Sequence, residues 1–295
     1  MTTVDDVGAA LKGLAVASRT LPASETKSRL LRLLDGYFQA SVALAGPPMM
    51  GDGGVATVFR GRIDKPFTIS EISYPPQAKV VALAGRCNRQ GEPVFYGSFT
   101  QSAIPYELRA TDGQRLYISR WTTRPRQWLF VNYCGLTTSA FERLGANREP
   151  PFWATPQVVQ ELTARNMHIN SLLAEYFVSQ DEQDYPFTAT VYDIFIEKNH
   201  GVIYPSVAAR GFFDNIAISP KFVDRGLRLQ RVDEVTFRFE SDSVVFECLD
   251  SAVPNDLGQL TWGRGPDIVG FLSDPPLCGM LINPGQWWPT IGVDD

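Results

Sequence analysis

Only two histidines, His168 and His200, occur in the 295 residues, which excludes a histidine-rich metal centre by count. The four cysteines, Cys87, Cys134, Cys248 and Cys278, form no Cys-x-x-Cys pair and have no histidine at zinc spacing. They read as free thiols in a reducing compartment. No apolar run approaches the roughly 18 residues of a membrane helix. The opening Met1-Thr2-Thr3-Val4-Asp5-Asp6 lacks the basic start and apolar stretch of a secretion signal. Neither a Gly-x-Gly-x-x-Gly after a strand nor a phosphate-binding Gly-rich loop ending in Lys and Ser/Thr is present, so a dinucleotide could not be held in the Rossmann manner. Positive charge is also in short supply. Lys and Arg number 27 against 32 Asp and Glu, a net −5, and a mildly acidic chain repels phosphate backbones at long range. The expectation is a soluble, cytoplasmic protein with no nucleic-acid or membrane partner, no metal and no resident cofactor.

Composition is that of an ordinary globular chain, 44% hydrophobic and 20% charged, long enough to bury a core without staples. Residues 1 to about 45 read as helical, with Leu30, Leu31, Leu34, Tyr37, Phe38 and Val42 on one apolar face. Gly46-Pro47-Pro48 stops that pattern. Such a face must be covered, by the core or by a second subunit, so a homodimer is one expectation. From Val55 the texture changes to short strands and turns: Val55 to Phe59, Val80 to Ala84, and Pro93 to Phe99 with Tyr96 inside it. Thr100 or Ser102 can cap a short helix running through Glu107. Asp112-Gly113 turns the chain into a strand over Arg115 to Trp121.

Thr155-Pro156 opens a further helix, with Val158, Leu162, Ile169, Leu172, Leu173 and Tyr176 on its apolar face. Phe187 to Glu197 and Gly201 to Tyr204 follow. Glu234 to Phe239 and Ser243 to Leu249 alternate like a hairpin joined near Ser241-Asp242. Strands and helices mix without a β-α-β rhythm, which predicts an α+β fold. The expected organisation is an N-terminal helical extension (1–50), a catalytic domain (51–235) with a helical insertion at about 135–190, and a C-terminal hairpin and tail (236–295) packed on the core.

The informative stretch is Gly85-Arg86-Cys87-Asn88-Arg89-Gln90-Gly91-Glu92-Pro93-Val94-Phe95-Tyr96, continuing to Ile104-Pro105-Tyr106-Glu107. An arginine in a Gly-Arg-x-Asn turn, then Gly-x-Pro into a tyrosine-bearing strand, then a helical glutamate, resembles the RES (Arg-Glu-Ser) domain family. Tyr204-Pro205-Ser206, Arg210-Gly211 and Asn215-Ile216-Ala217 follow in the family's manner, and Phe59-Arg60-Gly61-Arg62 is similar to its early Arg-x-Arg. The likeness spans roughly residues 55 to 230. It implies an ADP-ribosyltransferase-like mixed or antiparallel β core with flanking helices. It also implies an enzyme that consumes NAD as substrate, as do toxins of toxin–antitoxin pairs.

Given NAD, the chemistry assigns roles. Arg86 with Arg60 or Arg62 would hold the diphosphate, because a guanidinium fork matches phosphate oxygens. Arg62 is favoured slightly, being nearer to Arg86 in sequence. Tyr96 would offer a ring face to the nicotinamide. Glu107 would stabilise positive charge on the ribose as the bond to nicotinamide breaks. Ser206 would fix a ribose hydroxyl or the amide, and Asn88 completes the expected NAD-binding set. Glu107, Arg86 and Tyr96 are the expected catalytic residues. ADP-ribose would pass to water or phosphate, making the protein a hydrolase or phosphorylase. A transferase that modifies a macromolecule and a non-catalytic NAD-binding module are the alternatives, and a cognate antitoxin is the expected protein partner.

Departures from the family pattern are Cys87, where an aromatic residue is frequent, and Pro105 ahead of Glu107. The extra segments are expected to reshape substrate access or to bind a partner. Outside the motif, Arg120, Arg124 and Arg126 form a basic cluster able to hold a small anion. His168 reads as a boundary residue. Asp181-Glu182-Gln183-Asp184 reads as a solvated acidic turn, since it lacks a calcium-loop pattern. Trp287-Trp288 reads as a packed C-terminal anchor.

Overall fold

The structure, a computed structural model, describes residues 4–35, 41–44, 56–76, 84–125, 127–134, 164–240, 243–266 and 279–282. The chain opens with a helical hairpin, α1 (Val4–Ala17) and α2 (Ala23–Leu33). Helix does not continue to residue 45. Residues Ser41–Leu44 form strand β1, with ladders on both sides, to β5 (Leu129–Tyr133) and β11 (Gly279–Ile282). Gly36 follows α2 closely, and paired backbone ladders outweigh a helical spacing that has no interior partner.

Strands β2 (Thr57–Arg62), β3 (Phe95–Ser98), β4 (Leu116–Thr123), β6 (Gly201–Pro205), β7 (Asp214–Ile218), β8 (Leu227–Glu240), β9 (Ser243–Pro254) and β10 (Leu260–Thr261) complete the sheet. The eleven strands run in the order β10-β9-β8-β4-β2-β3-β7-β6-β5-β1-β11. Every pairing is antiparallel except β5 with β6. The connection between those two carries α5 (Ala164–Phe177) and α6 (Tyr185–Phe195), as parallel neighbours require a crossover. Short helices α3 (Ile69–Ile72), α4 (Ile104–Glu107) and α7 (Pro220–Gly226) fill the remaining turns. This is an α+β fold around a mixed sheet. β8 and β9 form the expected hairpin but run longer than the alternation suggested, with Glu240 paired to Ser243. The expected strand at Val80–Ala84 lies largely outside the described residues, as do the Thr155-Pro156 helix start and Trp287-Trp288.

The apolar face of the N-terminal hairpin is covered within the chain. Leu11, Leu30 and Leu34 share a core with Ile169, Leu172 and Phe177 of α5 and with Phe187 and Val191 of α6. Each such side chain contributes about 1.5–3 kcal/mol when fully buried, so the hairpin is fastened to α5 and α6 by several such increments. Of the expected apolar face, Leu30 and Leu34 are covered by the protein's own helices, Leu31 stays 45% exposed, and Tyr37 and Phe38 lie outside the described residues. Gly8 lets α1 approach closely, for a Cβ there would stand 2.5 Å from His168 Nε2. Among the described residues, Cys87 and Cys134 are buried free thiols and Cys248 is a half-buried one. No helix of the described residues is long and apolar enough to cross a membrane.

Candidate active site

A cleft of about 690 Å³ opens where β2, β3, α4 and the turn after β6 converge, a size suited to a nucleotide-scale ligand. Its position follows from an interrupted ladder. β2 and β3 pair only at Phe59–Ser98, and beyond that point the Arg60 guanidinium donates to the Tyr96 carbonyl at 2.6 Å. A side chain thus takes over an acceptor that a neighbouring strand would otherwise satisfy. Gly61, between the two arginines of β2, allows α4 to lie against the strand, since a Cβ would collide with Ile104. That close approach brings Glu107, at the end of α4, to the same opening as Arg60 and Arg62.

Arg60, Arg62, Arg86, Tyr96 and Glu107 all line the cleft. The turn bearing Arg86 is closed by reciprocal backbone bonds between Gly85 and Asn88. The Tyr96 hydroxyl fastens it from below, accepting from Cys87 N at 2.9 Å and donating to Asn88 Oδ1 at 2.8 Å. Gly85 is required at this point, because a Cβ would sit 2.8 Å from that hydroxyl. Asn88 is buried and stands behind Tyr96 instead of lining the cleft. Burial, then the neighbouring Cys87 thiol, pushes the Tyr96 hydroxyl well above the usual phenol range, so it stays a donor.

Glu107 is held through one oxygen. Ser206 Oγ donates to Oε1 at 2.5 Å and Asn215 Nδ2 donates to the same Oε1 at 2.8 Å. No described residue donates to Oε2. Ser206 is fully buried and its Oγ also accepts from Ala209 N at 3.0 Å. The serine therefore sits behind the carboxylate and orients it. The ribose or amide contact expected of Ser206 is not open to a hydroxyl with no exposed surface. Asn215, which sequence reasoning did not single out as a site residue, lines the cleft, and its Oδ1 is a buried acceptor without a partner. The strand pattern of β7 carried this signal: Asn215 is a polar residue ahead of the apolar run Ile216-Ala217-Ile218.

The electrostatics point to a polyanion. Arg60, Arg62 and Arg86 bring three guanidinium groups to the lining of the cleft, and their Nε, Nε and Nη1 atoms are buried donors with no protein partner among the described residues, a costly arrangement. Burial, with Arg62 beside it, lowers the Arg60 guanidinium to about 9. Arg62, lowered mainly by burial, donates to the Ser73 carbonyl at 3.3 Å. Arg86 lies over the Tyr185 ring, 5.4 Å from its centroid.

Two more arginines, Arg109 and Arg210, stand at the mouth. They are the two non-glycine residues with positive φ among those described, at 50° and 49°. Arg109 closes α4 in the left-handed position that glycine normally takes, and such conformations cost on the order of 1 kcal/mol and cluster at functional sites. Five arginines thus face Glu107 and Glu182 across one cleft. Of the basic cluster, Arg120 and Arg124 do not line the cleft. Arg120 lies over Phe59 and Arg124 donates to Leu227 O, while Arg126 lies outside the described residues. The turn at 181–184 is not a merely solvated one: Asp184 is buried and Glu182 lines the cleft.

Fold and cleft together define an α+β protein with an arginine-lined site for an anionic ligand and one carboxylate fixed at its edge. The RES domain family model matches residues 59–240, more than half of the chain. The chain belongs to the RES domain family. Comparisons with curated proteins and with solved structures give no match.

Proposed function

We propose that this protein binds NAD in the cleft and breaks the bond between nicotinamide and ribose, passing ADP-ribose to water or phosphate. The RES family is associated with NAD-related toxin function, and the residues at the site suit that substrate. Arg60, Arg62 and Arg86 line the cleft, and their guanidinium groups suit a diphosphate, to which such bonds are strong and directional. Tyr96 and Tyr185 offer ring faces. As the glycosidic C–N bond breaks, its electron pair leaves with the pyridinium nitrogen and positive charge develops on the ribose. Glu107, with Oε1 fixed by two donors and Oε2 open, stabilises that charge or orders a ribose hydroxyl. Water, giving up a proton to Glu107 or to solvent, or a phosphate oxygen then bonds to the ribose carbon.

The observation that carries this reading is the one-sided grip on Glu107 beside an arginine-lined cleft. Incubating the protein with NAD and weighing the products tests it. Free ADP-ribose marks hydrolysis, and a phosphorylated ADP-ribose marks phosphorolysis. Glu107→Gln removes the charge, while its amide oxygen can still accept from Ser206 and Asn215, so the fold is kept. Turnover is expected to drop about a hundred- to a thousandfold, the range for losing one electrostatic group. A Glu107→Gln variant that turns over NAD at the wild-type rate refutes the assignment.

A second reading keeps the site and changes the acceptor to a macromolecule. Phe212, 57% exposed and two residues from Arg210 at the mouth, favours it. Added mass on a co-incubated protein would establish it. The biological setting proposed for either reaction is a toxin neutralised by a cognate antitoxin, and rescue of growth by a co-expressed inhibitor is the measurement that bears on it.

A further inference from the structure

The 180–185 segment contributes Gln180, Glu182 and Tyr185 to the lining of the cleft. This segment links α5 to α6 and contains a single 3-10 turn, Glu182–Asp184. Such a connection has little backbone bonding of its own. Asp181 caps the turn by accepting from Gln183 N at 2.9 Å. Asp181 N also donates to Ser179 Oγ at 3.1 Å and Asp184 N to Asp181 O at 3.1 Å, and the side chains of the turn are held in addition from a distant part of the sequence. Arg19, in the loop between α1 and α2, donates to Gln183 Oε1 at 2.6 Å, to Asp184 Oδ1 at 3.2 Å and to Asp181 Oδ2 at 3.3 Å. One guanidinium thus gathers three polar side chains of the turn, Asp181, Gln183 and the buried Asp184.

Arg19 lies outside the family match, which begins at residue 59. The hairpin that carries it is anchored by the buried core it shares with α5 and α6, and Lys27 adds an ion pair to Glu197 beyond the end of α6. The far side of α6 reaches the site as well. Arg89 donates to Thr190 Oγ1 at 2.9 Å and pairs with Asp193, tying the Arg86 turn to α6. Tyr185, at the first turn of α6, lies under the Arg86 guanidinium. α6 is therefore a bracket that touches the Arg86 turn at two places, and its N-terminal approach is fixed by Arg19.

We infer that Arg19 is a positioning residue for the cleft: by gripping the 181–184 turn it holds Gln180 and Glu182 at the mouth and Tyr185 under Arg86. The N-terminal hairpin serves as a buttress of the substrate wall. A lone exposed ion pair would contribute little. Three acceptors on one planar fork restrain direction as well as distance. The consequence falls on ligand binding, since none of the held residues is Glu107. This inference rests on the cleft being the NAD site.

The test uses the full chain with Arg19→Ala, Arg19→Lys and, as a milder variant, Gln183→Ala. Two readouts are compared: amide hydrogen exchange of residues 181–185, and KM against kcat for NAD. Loss of the grip is expected to speed exchange at 181–185 by about tenfold or more, as for a segment opening locally, with β3 and β7 unchanged. KM for NAD is expected to rise about five- to twentyfold with kcat within about threefold, the pattern of lost uniform binding. Arg19→Lys should fall between, because an ammonium cannot satisfy three acceptors in a fork. Should Arg19→Ala not fold, Gln183→Ala gives the same pattern at smaller size. Wild-type exchange at 181–185, or faster exchange with KM unchanged, overturns the inference, as does a fall in kcat with KM unmoved. If the wild-type protein leaves NAD intact, the NAD reading of the site fails. The exchange comparison then still decides the grip: faster exchange supports it and unchanged exchange overturns it.

Discussion

Ser206→Ala is the most informative single substitution for the carboxylate. The hydroxyl is fully buried, donates to Glu107 Oε1 at 2.5 Å and accepts from Ala209 N at 3.0 Å. A hydrogen bond to a charged group is worth about 1.5–3 kcal/mol, and an orphaned buried N–H costs about 1–3 kcal/mol. Removing the hydroxyl also relieves its own burial, so a net loss of about 2–4 kcal/mol is expected. For a chain of this size each kcal/mol moves Tm by about 2–4 °C, giving a fall of about 4–16 °C.

Activity should respond less steeply than in Glu107→Gln, because Asn215 still holds the same oxygen at 2.8 Å. A loss of about 10- to 100-fold in kcat/KM corresponds to about 1.4–2.8 kcal/mol of transition-state stabilisation. Asn215→Ala should behave alike, with Ser206 as the remaining holder. The pair removed together leaves Glu107 without a fixed rotamer, so the double variant should exceed the sum by about 1 kcal/mol, within the range of coupling between contacting residues. NAD turnover and thermal unfolding of the four proteins measure all of this. Strict additivity, or a Ser206→Ala protein with wild-type Tm and turnover, would show that the serine does not orient the carboxylate.

Two pH dependences follow from buried bases. Arg60 is lowered to about 9 by burial and by Arg62, so affinity for NAD should weaken as pH rises through about 9 and the cation is lost. Arg60→Gln should bind weakly and show no such step; a step of equal size in that variant would assign it to another group. His200 is held down at about 4, against an ordinary 6.5, chiefly by burial. Its Nδ1 accepts from Phe130 N at 3.1 Å and its ring stacks on Phe222. Because the unfolded chain takes up this proton first, stability present above 6.5 is lost as pH falls through the folded value near 4. The loss is about 1–2 kcal/mol, at about 1.4 per pH unit discounted for partial exposure. Urea unfolding of wild type and His200→Gln across that range should give different slopes, and equal slopes would remove His200 from the account.

The local pattern determined a good deal by itself. Alternation marked the β8–β9 hairpin, because side chains on a strand face opposite ways, and the Asp112-Gly113 turn marked the start of β4. Apolar spacing marked α5 from Ile169 to Phe177. The arginines, Tyr96 and Glu107 stood out as a set through the spacing of a motif that resembles the RES family. Helical spacing over Leu30 to Val42 misled, since periodicity cannot reveal that residues 41–44 will find ladder partners on both sides.

What only the tertiary structure decided is how distant groups meet. Ser206 and Glu107 are 99 residues apart, and Asn215 and Glu107 108; whether the serine meets ligand or carboxylate depends on burial, which no local window contains. Arg109 and Arg210 gained significance from backbone conformation at the cleft mouth. The acidic turn at 181–184 reads as solvated until Arg19, more than 160 positions away, is seen to grip it. Spacing along a chain encodes which face a residue lies on, while hydrogen-bond partners are fixed only when separate faces pack.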